Sequence, residues 1–231
     1  MRKFETTVGI ADDFPAIRTF VRSGIKQLHG YSLVLEADNG AALFQQLEAC
    51  EKLPEILLLD ISMPGLDGYE VMKILKRQYK DIKVLVISLY REEFAVVQMM
   101  RLGASGFLEK GRLENLDAAL QQLQEGKRYF SSGIAPEWTR KLVCQNRPVS
   151  FAPREKQTLR LCAAGLTLEQ MAYIMNVSSR TVHEYKTRLA AKLNVHNTNE
   201  MVRVAMGAGL LTIGEPMPVW EDELKRKRKK R

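Results

Sequence analysis

Apolar positions fall in short unbroken runs in the first half of the chain and in helically spaced stripes in the second. The runs lie at 8–11, 33–37, Ile56–Asp60, 84–88 and 106–108, and they predict strands buried on both faces. Helix-length segments alternate with them at roughly 15–40, 40–52, 67–80, 91–103 and 112–126, the first sharing its range with a strand. Alternation of this kind predicts an α/β unit, a parallel sheet with helices on both faces and right-handed crossovers. From 126 to 151 the pattern loosens around Ser131-Ser132-Gly133, Pro136 and Asn146-Arg147-Pro148, with room for a short helix over 137–143.

Residues 151–209 predict a small all-α unit with helices over 153–164, Leu168–Met175, Ser179–Leu193 and 197–207. Gly165 and Asn194 suit left-handed C-caps, and Asn197 with Glu200 carries a helix-start signal. A helix of about eight residues, a tight turn and a longer helix opened by Ser178-Ser179 is helix-turn-helix geometry. On the longer helix Val182, Tyr185, Leu189 and Leu193 share an inward face. Arg180, His183, Glu184, Thr187 and Ala191 form the outward stripe, flanked by Lys186, Arg188 and Lys192. The expected organisation is thus 5–126, a linker at 127–150, 151–214, and a C-terminal extension at 215–231.

Charge changes the picture only once it is located. The net charge is +8, but every residue from 225 to 231 is Lys or Arg, so the rest of the chain carries +1. The α/β half is balanced, and 150–214 holds eight basic against four acidic side chains, an asymmetry that points to nucleic acid as a partner of the helical unit. The tail itself reads either as a solvated extension or as a non-specific clamp on DNA phosphates. No apolar run is long enough to span a bilayer, and Met1-Arg2-Lys3-Phe4-Glu5 is followed by no signal-peptide core, so a cytoplasmic protein without a membrane partner is expected. Cys50, Cys144 and Cys162 are odd in number and far apart, which argues against a disulfide framework or a zinc site.

The chemistry concentrates at strand ends. Ile56–Asp60 ends on a carboxylate and breaks into the Pro64/Gly65 turn; an earlier run ends on Asp12-Asp13, a later one on Ser88, and the last on Lys110. In an open α/β sheet these residues would converge at the carboxyl edge, where such folds bind ligands. Crowded carboxylates raise one another's pKa or share a divalent cation, and an oxygen-rich cluster suits Mg²⁺. Such a cation, an ammonium and a hydroxyl together could orient a phosphoryl group transferring to Asp60.

Asp12, Asp13, Asp60, Pro64, Ser88, Phe107 and Lys110 in this order and spacing resemble the receiver domain of two-component response regulators. Phe151-Ala152-Pro153-Arg154-Glu155, Gly165, Met171-Ala172, Val177-Ser178, Thr181-Val182 and Lys192-Leu193 resemble the LuxR-type DNA-binding domain. Together the halves resemble a NarL/FixJ-type response regulator. The resemblance implies a flavodoxin-like five-stranded receiver of strand order 2-1-3-4-5, with Asp60 as phosphoacceptor. It implies Mg²⁺ held by Asp13, Asp60 and the Ser62 carbonyl, and by Asp12 through water. Ser88 and Lys110 would contact the phosphoryl group, and Ser88 with Phe107 would form the switch. A sensor histidine kinase, a homodimer formed on phosphorylation and double-stranded DNA with paired half-sites are the implied partners. DNA contacts would come from Arg180, His183, Glu184, Lys186, Thr187, Arg188 and Lys192.

Several positions depart from the family pattern. His183 and Tyr185 stand where Lys and His are common, Glu169 replaces a basic or polar residue, and Gly111 follows Lys110 where many receivers have proline. Ser62 and Tyr90 occupy positions that modulate phosphoryl loss in receivers. Two other readings stay open. A haloacid-dehalogenase-type phosphatase also uses a strand-terminal Asp, but wants a second Asp where this chain has Ser62. A receiver used for protein interaction or phosphate buffering, without sequence-specific DNA output, would suit Glu169 and Glu184.

Overall fold

The computed structural model describes residues 5–89, 92–132, 134 and 149–211. Tyr90, the helix expected over 137–143 and the basic run 225–231 lie outside the described residues. The chain divides into two compact units, Met1–Pro148 and Val149–Arg231.

The first unit follows the predicted alternation: β1 (Thr6–Ala11), α1 (Pro15–Gln27), β2 (Tyr31–Ala37), α2 (Gly40–Ala49), β3 (Ile56–Asp60), α3 (Gly68–Gln78), β4 (Lys83–Ser88), α4 (Glu93–Arg101), β5 (Gly106–Glu109), a 3-10 turn over Lys110–Asn115 and α5 (Leu116–Gln124). The central strands are buried on both faces, which is why they read as unbroken apolar runs rather than as alternation. Val8, Ile10, Leu58, Leu85 and Ile87 form one side of a core closed by α1 and α5.

The sheet has six strands, not five. Its order is β2-β1-β3-β4-β5-β6, and β6 is Tyr129–Phe130, paired parallel to β5 inside the stretch expected to be linker. A strand of two residues carries no periodicity, and its neighbours Gly126 and Ser131-Ser132-Gly133 read as breakers. What makes it a strand is the edge of β5. A Cβ on Gly106 would lie 2.7 Å from the Tyr129 carbonyl oxygen, so only glycine lets the two backbones meet there.

The second unit contains α6 (Pro153–Ala163), α7 (Leu168–Met175), α8 (Ser179–Leu193) and α9 (Thr198–Gly207). Its boundaries follow from caps. Thr167 and Ser178 accept hydrogen bonds from the amides of Gln170 and Thr181, and Asn197 from that of Glu200. Asn176 and Asn194 end α7 and α8 at φ 55°, a left-handed conformation that asparagine tolerates better than most side chains. Leu161, Cys162, Met171, Met175 and Val182 form the core joining α6, α7 and α8.

Candidate functional site

Strand register assembles the acidic site. Ala11 pairs with Leu59, Asp60 with Ile87, and Ser88 with Glu109. Asp12 therefore leaves β1 beside Asp60, and Lys110 follows the partner of Ser88 along the same carboxyl edge. Ligand-binding oxygens of Asp12, Asp13 and Asp60 all lie within 4.8 Å of one another. The Lys110 ammonium reaches into this cluster, 2.8 Å from Asp12 Oδ2 and 3.1 Å from Asp60 Oδ2. Asp12 and Ser88 are fully buried, Asp60 nearly so, and the Lys110 side chain is 3% exposed.

Backbone donors orient the acids. The Ile61 amide donates to Asp60 Oδ1 at 2.8 Å, and the Phe14 amide to Asp12 Oδ1 at 2.9 Å. Asp13 Oδ1 and Ser62 Oγ are buried without a hydrogen-bond partner among the described residues. One ammonium against three carboxylates leaves the cluster short of positive charge. Burial accordingly pushes the Asp60 carboxyl up to about 6, with Asp12 adding to the rise and Lys110 opposing it. Asp13 is raised as well, by burial first and then by Asp12. A hard divalent cation answers this donor set: it would partner the orphaned Asp13 oxygen and supply the missing charge. Gly68 lets α3 start directly beneath the site, its amide donating to the Ile61 carbonyl at 2.8 Å.

In the second unit α8 presents its predicted faces. Val182, Leu189 and Leu193 are buried and Tyr185 packs partly against the core, while Arg180, His183, Glu184, Thr187, Arg188 and Ala191 are exposed and Lys186 is half-buried. Glu184 lies between two cations, 3.7 Å from Arg180 and 3.8 Å from Arg188. The Thr187 hydroxyl donates to the His183 carbonyl at 3.0 Å. Lys192 departs from the expected role. Its ammonium is held by Glu155 Oε2 and by the Ser150 carbonyl, 2.8 Å away, and lies 5.6 Å from the Phe151 ring centroid. Glu155 is 3% exposed, so Lys192 neutralises a buried acid at the start of α6.

Comparison with known proteins decides what the two halves are. The profile of the family described as Response regulator receiver domain matches residues 8–121, and that of Bacterial regulatory proteins, luxR family, matches 149–205. A putative transcriptional regulator of Pseudomonas aeruginosa is 34% identical over 203 residues, covering 85% of this chain and 95% of its own length. The chain is a response regulator of the NarL/FixJ type. Response regulator UvrY of Escherichia coli is 27% identical over 206 residues, covering 87% of this chain and 94% of its own. RcsB of Salmonella enterica serovar Typhimurium, solved bound to promoter rprA in the presence of phosphomimetic BeF3-, is 25% identical with a TM-score of 0.59, covering 87% of this chain and 98% of its own.

This response regulator is therefore a two-domain transcription regulator, a receiver joined to a LuxR-type helix-turn-helix domain. Full-length similarity to transcription regulators favours DNA output over an interaction-only receiver. Family membership likewise sets aside the phosphatase reading. No described helix is long and apolar enough to cross a membrane. Of the residues singled out at the receiver, the structure brings Asp12, Asp13, Asp60 and Lys110 into one cluster and places Ser88 at the same strand edge. Phe107 is fully buried on β5. Two residues escaped sequence reasoning, and the pairing of a third, Glu155, was not foreseen although the residue belongs to the LuxR-type motif. Phe14, 52% exposed, lies 5.2 Å from the Lys110 ammonium; Arg18 donates to the Asp12 carbonyl at 2.6 Å; Glu155 holds Lys192. Of the first two, only Phe14 carried a signal, its place directly after the acid pair.

Proposed function

We propose that a sensor histidine kinase transfers a phosphoryl group to Asp60, and that the modified receiver dimerises and lets the second domain bind DNA at paired half-sites. The observation that carries this reading is the bridging ammonium of Lys110 between Asp12 and Asp60, beside an unpartnered Asp13 oxygen. In the transfer an Asp60 oxygen bonds to phosphorus as the P–N bond to the kinase imidazole breaks, and the electron pair leaves with the nitrogen. Asp60 must be ionised to attack, which it is above a pKa of about 6.

Mg²⁺ would be held by Asp12, Asp13, Asp60 and Ser62, offsetting the negative charge that gathers as carboxylate and phosphoryl group approach. Lys110 then turns from the carboxylates to the phosphoryl oxygens, and the Ser88 hydroxyl donates to another. Movement of Ser88 with Phe107 is the two-state element that reshapes the distal helix face. The only chemistry is self-directed, formation and hydrolysis of the acyl phosphate. On the DNA side Arg180, His183, Glu184 and Thr187 face base edges while Lys186 and Arg188 hold phosphates; Lys192 instead secures α8 to α6. The cytoplasm, where kinase and DNA meet, is the compartment that suits this reading.

The test is DNA enrichment mapping of the wild-type chain beside Asp60→Asn, with acetyl phosphate labelling of both proteins in vitro. Wild type labelled on Asp60, with binding sites that Asp60→Asn loses or occupies constitutively, is the expected result. Equal labelling of Asp60→Asn overturns the acceptor assignment, and the absence of enriched DNA for wild type overturns the output.

A further inference from the structure

The ladder between β5 and β6 ends in an unusual way. The Ser131 amide donates to the Phe107 carbonyl at 3.0 Å, a regular parallel rung. In the next rung the Ser131 carbonyl would accept the Glu109 amide. Instead the Ser131 hydroxyl accepts it, at 2.9 Å, while the Ser131 carbonyl turns away to accept the Ile134 amide at 3.0 Å. One side-chain oxygen thus completes the sheet at the residue where the chain leaves it. Ser131 is 2% exposed, so this rung is shielded from water that could replace it.

The place of the rung matters more than its strength. Phe107 and Glu109, the two residues of β5 that Ser131 holds, bracket Leu108 and run directly into Lys110. Ser131 also begins the segment that continues to the second unit at Val149. The strand carrying the buried switch aromatic and the phosphoryl-contacting lysine is therefore tied, through Ser131, to the start of the interdomain connection. Close contact at Gly106, where Tyr129 lies against β5, leaves β6 little freedom to follow a different path.

We infer that Ser131 is a positioning residue that passes displacement of the Phe107–Lys110 strand end to the segment leading into the DNA-binding domain. This rests on phosphorylation of Asp60 as proposed above. Where Lys110, in passing from Asp12 and Asp60 to a phosphoryl group, draws the end of β5 with it, the Glu109 amide is displaced too. The hydroxyl rung obliges Ser131 and the Ile134 turn to follow. Without the hydroxyl the acceptor site is intact but the connection no longer reports its state.

The experiment uses the full chain, acetyl phosphate with Mg²⁺, and a duplex selected from random sequence by the labelled wild-type protein. Ser131→Ala should label on Asp60 to within about twofold of wild type, yet its gain in affinity for the duplex on labelling should fall to less than a third of the wild-type gain. Ser131→Thr, which keeps the hydroxyl, should recover most of that gain. In the wild-type chain, hydrogen exchange at the Glu109 and Ile134 amides should change together on labelling. An alanine variant with the full wild-type gain overturns the inference, as does one labelled tenfold less, since Ser131 would then act on the acceptor site itself. Failure of Ser131→Thr to recover assigns the loss to packing and overturns it too. Unchanged exchange at both amides of labelled wild type does the same without any variant. A wild-type chain that is not labelled, or that selects no duplex, instead overturns the phosphorylation reading on which the inference rests.

Discussion

Gly68 offers a direct test of how tightly the acceptor site is built. A Cβ placed on it would lie 2.4 Å from the carbonyl oxygen of Asp60 and 2.7 Å from the Cα of Ile61. Ordinary contact begins near 3.4 Å, so α3 and the end of β3 must separate by about 1 Å, and both obstacles are backbone that no rotamer change can clear. Overpacking of this kind costs about 1–3 kcal/mol, and the displacement strains the hydrogen bond from the Gly68 amide to Ile61. Alanine's better helix propensity returns at most about 1 kcal/mol. Gly68→Ala should thus be destabilising by roughly 1–2 kcal/mol, or about 5–30-fold in the folding equilibrium. Gly24, inside α1, is the control, because its Cβ meets nothing within 4 Å. Gly24→Ala should stabilise by about 0.5–1 kcal/mol through propensity and unfolded-chain entropy. Native-state hydrogen exchange at Leu58 and Leu59, buried in the middle of the sheet, reads the global opening of the receiver for both variants. Asp60 labelling by acetyl phosphate should fall for Gly68→Ala and stay unchanged for Gly24→Ala. Equal stabilisation by the two substitutions would refute the close approach of α3 to the acceptor strand.

Four further outcomes follow from the site and from α8. Without Mg²⁺, the folded-state pKa of Asp60 near 6 exceeds the unfolded value of 3.8, so the folded chain holds the proton more tightly; stability should decline as pH rises from about 4 to about 6. Urea titrations across that window should show the decline in wild type and its loss in Asp60→Asn; matching profiles would contradict the burial argument. Lys110→Ala should still accept some label on Asp60 but fail to dimerise on labelling, as sedimentation would record, because the ammonium that links the phosphoryl group to the end of β5 is gone. Substituting His183 by Ala should shift preference at one operator position by about 1–3 kcal/mol in competition binding, whereas Lys186→Ala or Arg188→Ala should weaken all sequences alike and flatten the salt dependence by about one unit. Deleting 225–231 removes seven positive charges: a flatter salt slope with unchanged operator preference marks a phosphate clamp, an unchanged slope marks a solvated extension, and an altered preference would show that α8 is not the whole of the reading surface.

Much of the receiver was legible because its signals are local. Unbroken apolar runs mark strands covered on both faces, and the polar residue that ends each run marks the sheet edge, so the sequence itself groups Asp12, Asp60, Ser88 and Lys110 at one edge. The second unit was legible for a similar reason: Ser178, Asn194 and Asn197 are caps, and caps act within a few residues. The misses have longer reach. Lys192 looked like a free cation on α8 because Glu155, its partner, is 37 residues away and buried only once α6 packs on α8.

Element type and the chemical identity of each strand end are thus matters of near-neighbour physics, written in periodicity, turn residues and caps. Tertiary structure decided how closely those charges meet and how far they are withdrawn from water. Asp12 and Lys110 are 98 positions apart and meet at 2.8 Å, and burial there, not the aspartate itself, lifts Asp60 to a pKa of about 6. It likewise made Tyr129–Phe130 a strand, because two residues gain strand character only from the edge they pair with. Hydrogen-bond ladders, desolvation and Coulomb interactions depend on distance in space, and sequence separation carries no record of that distance.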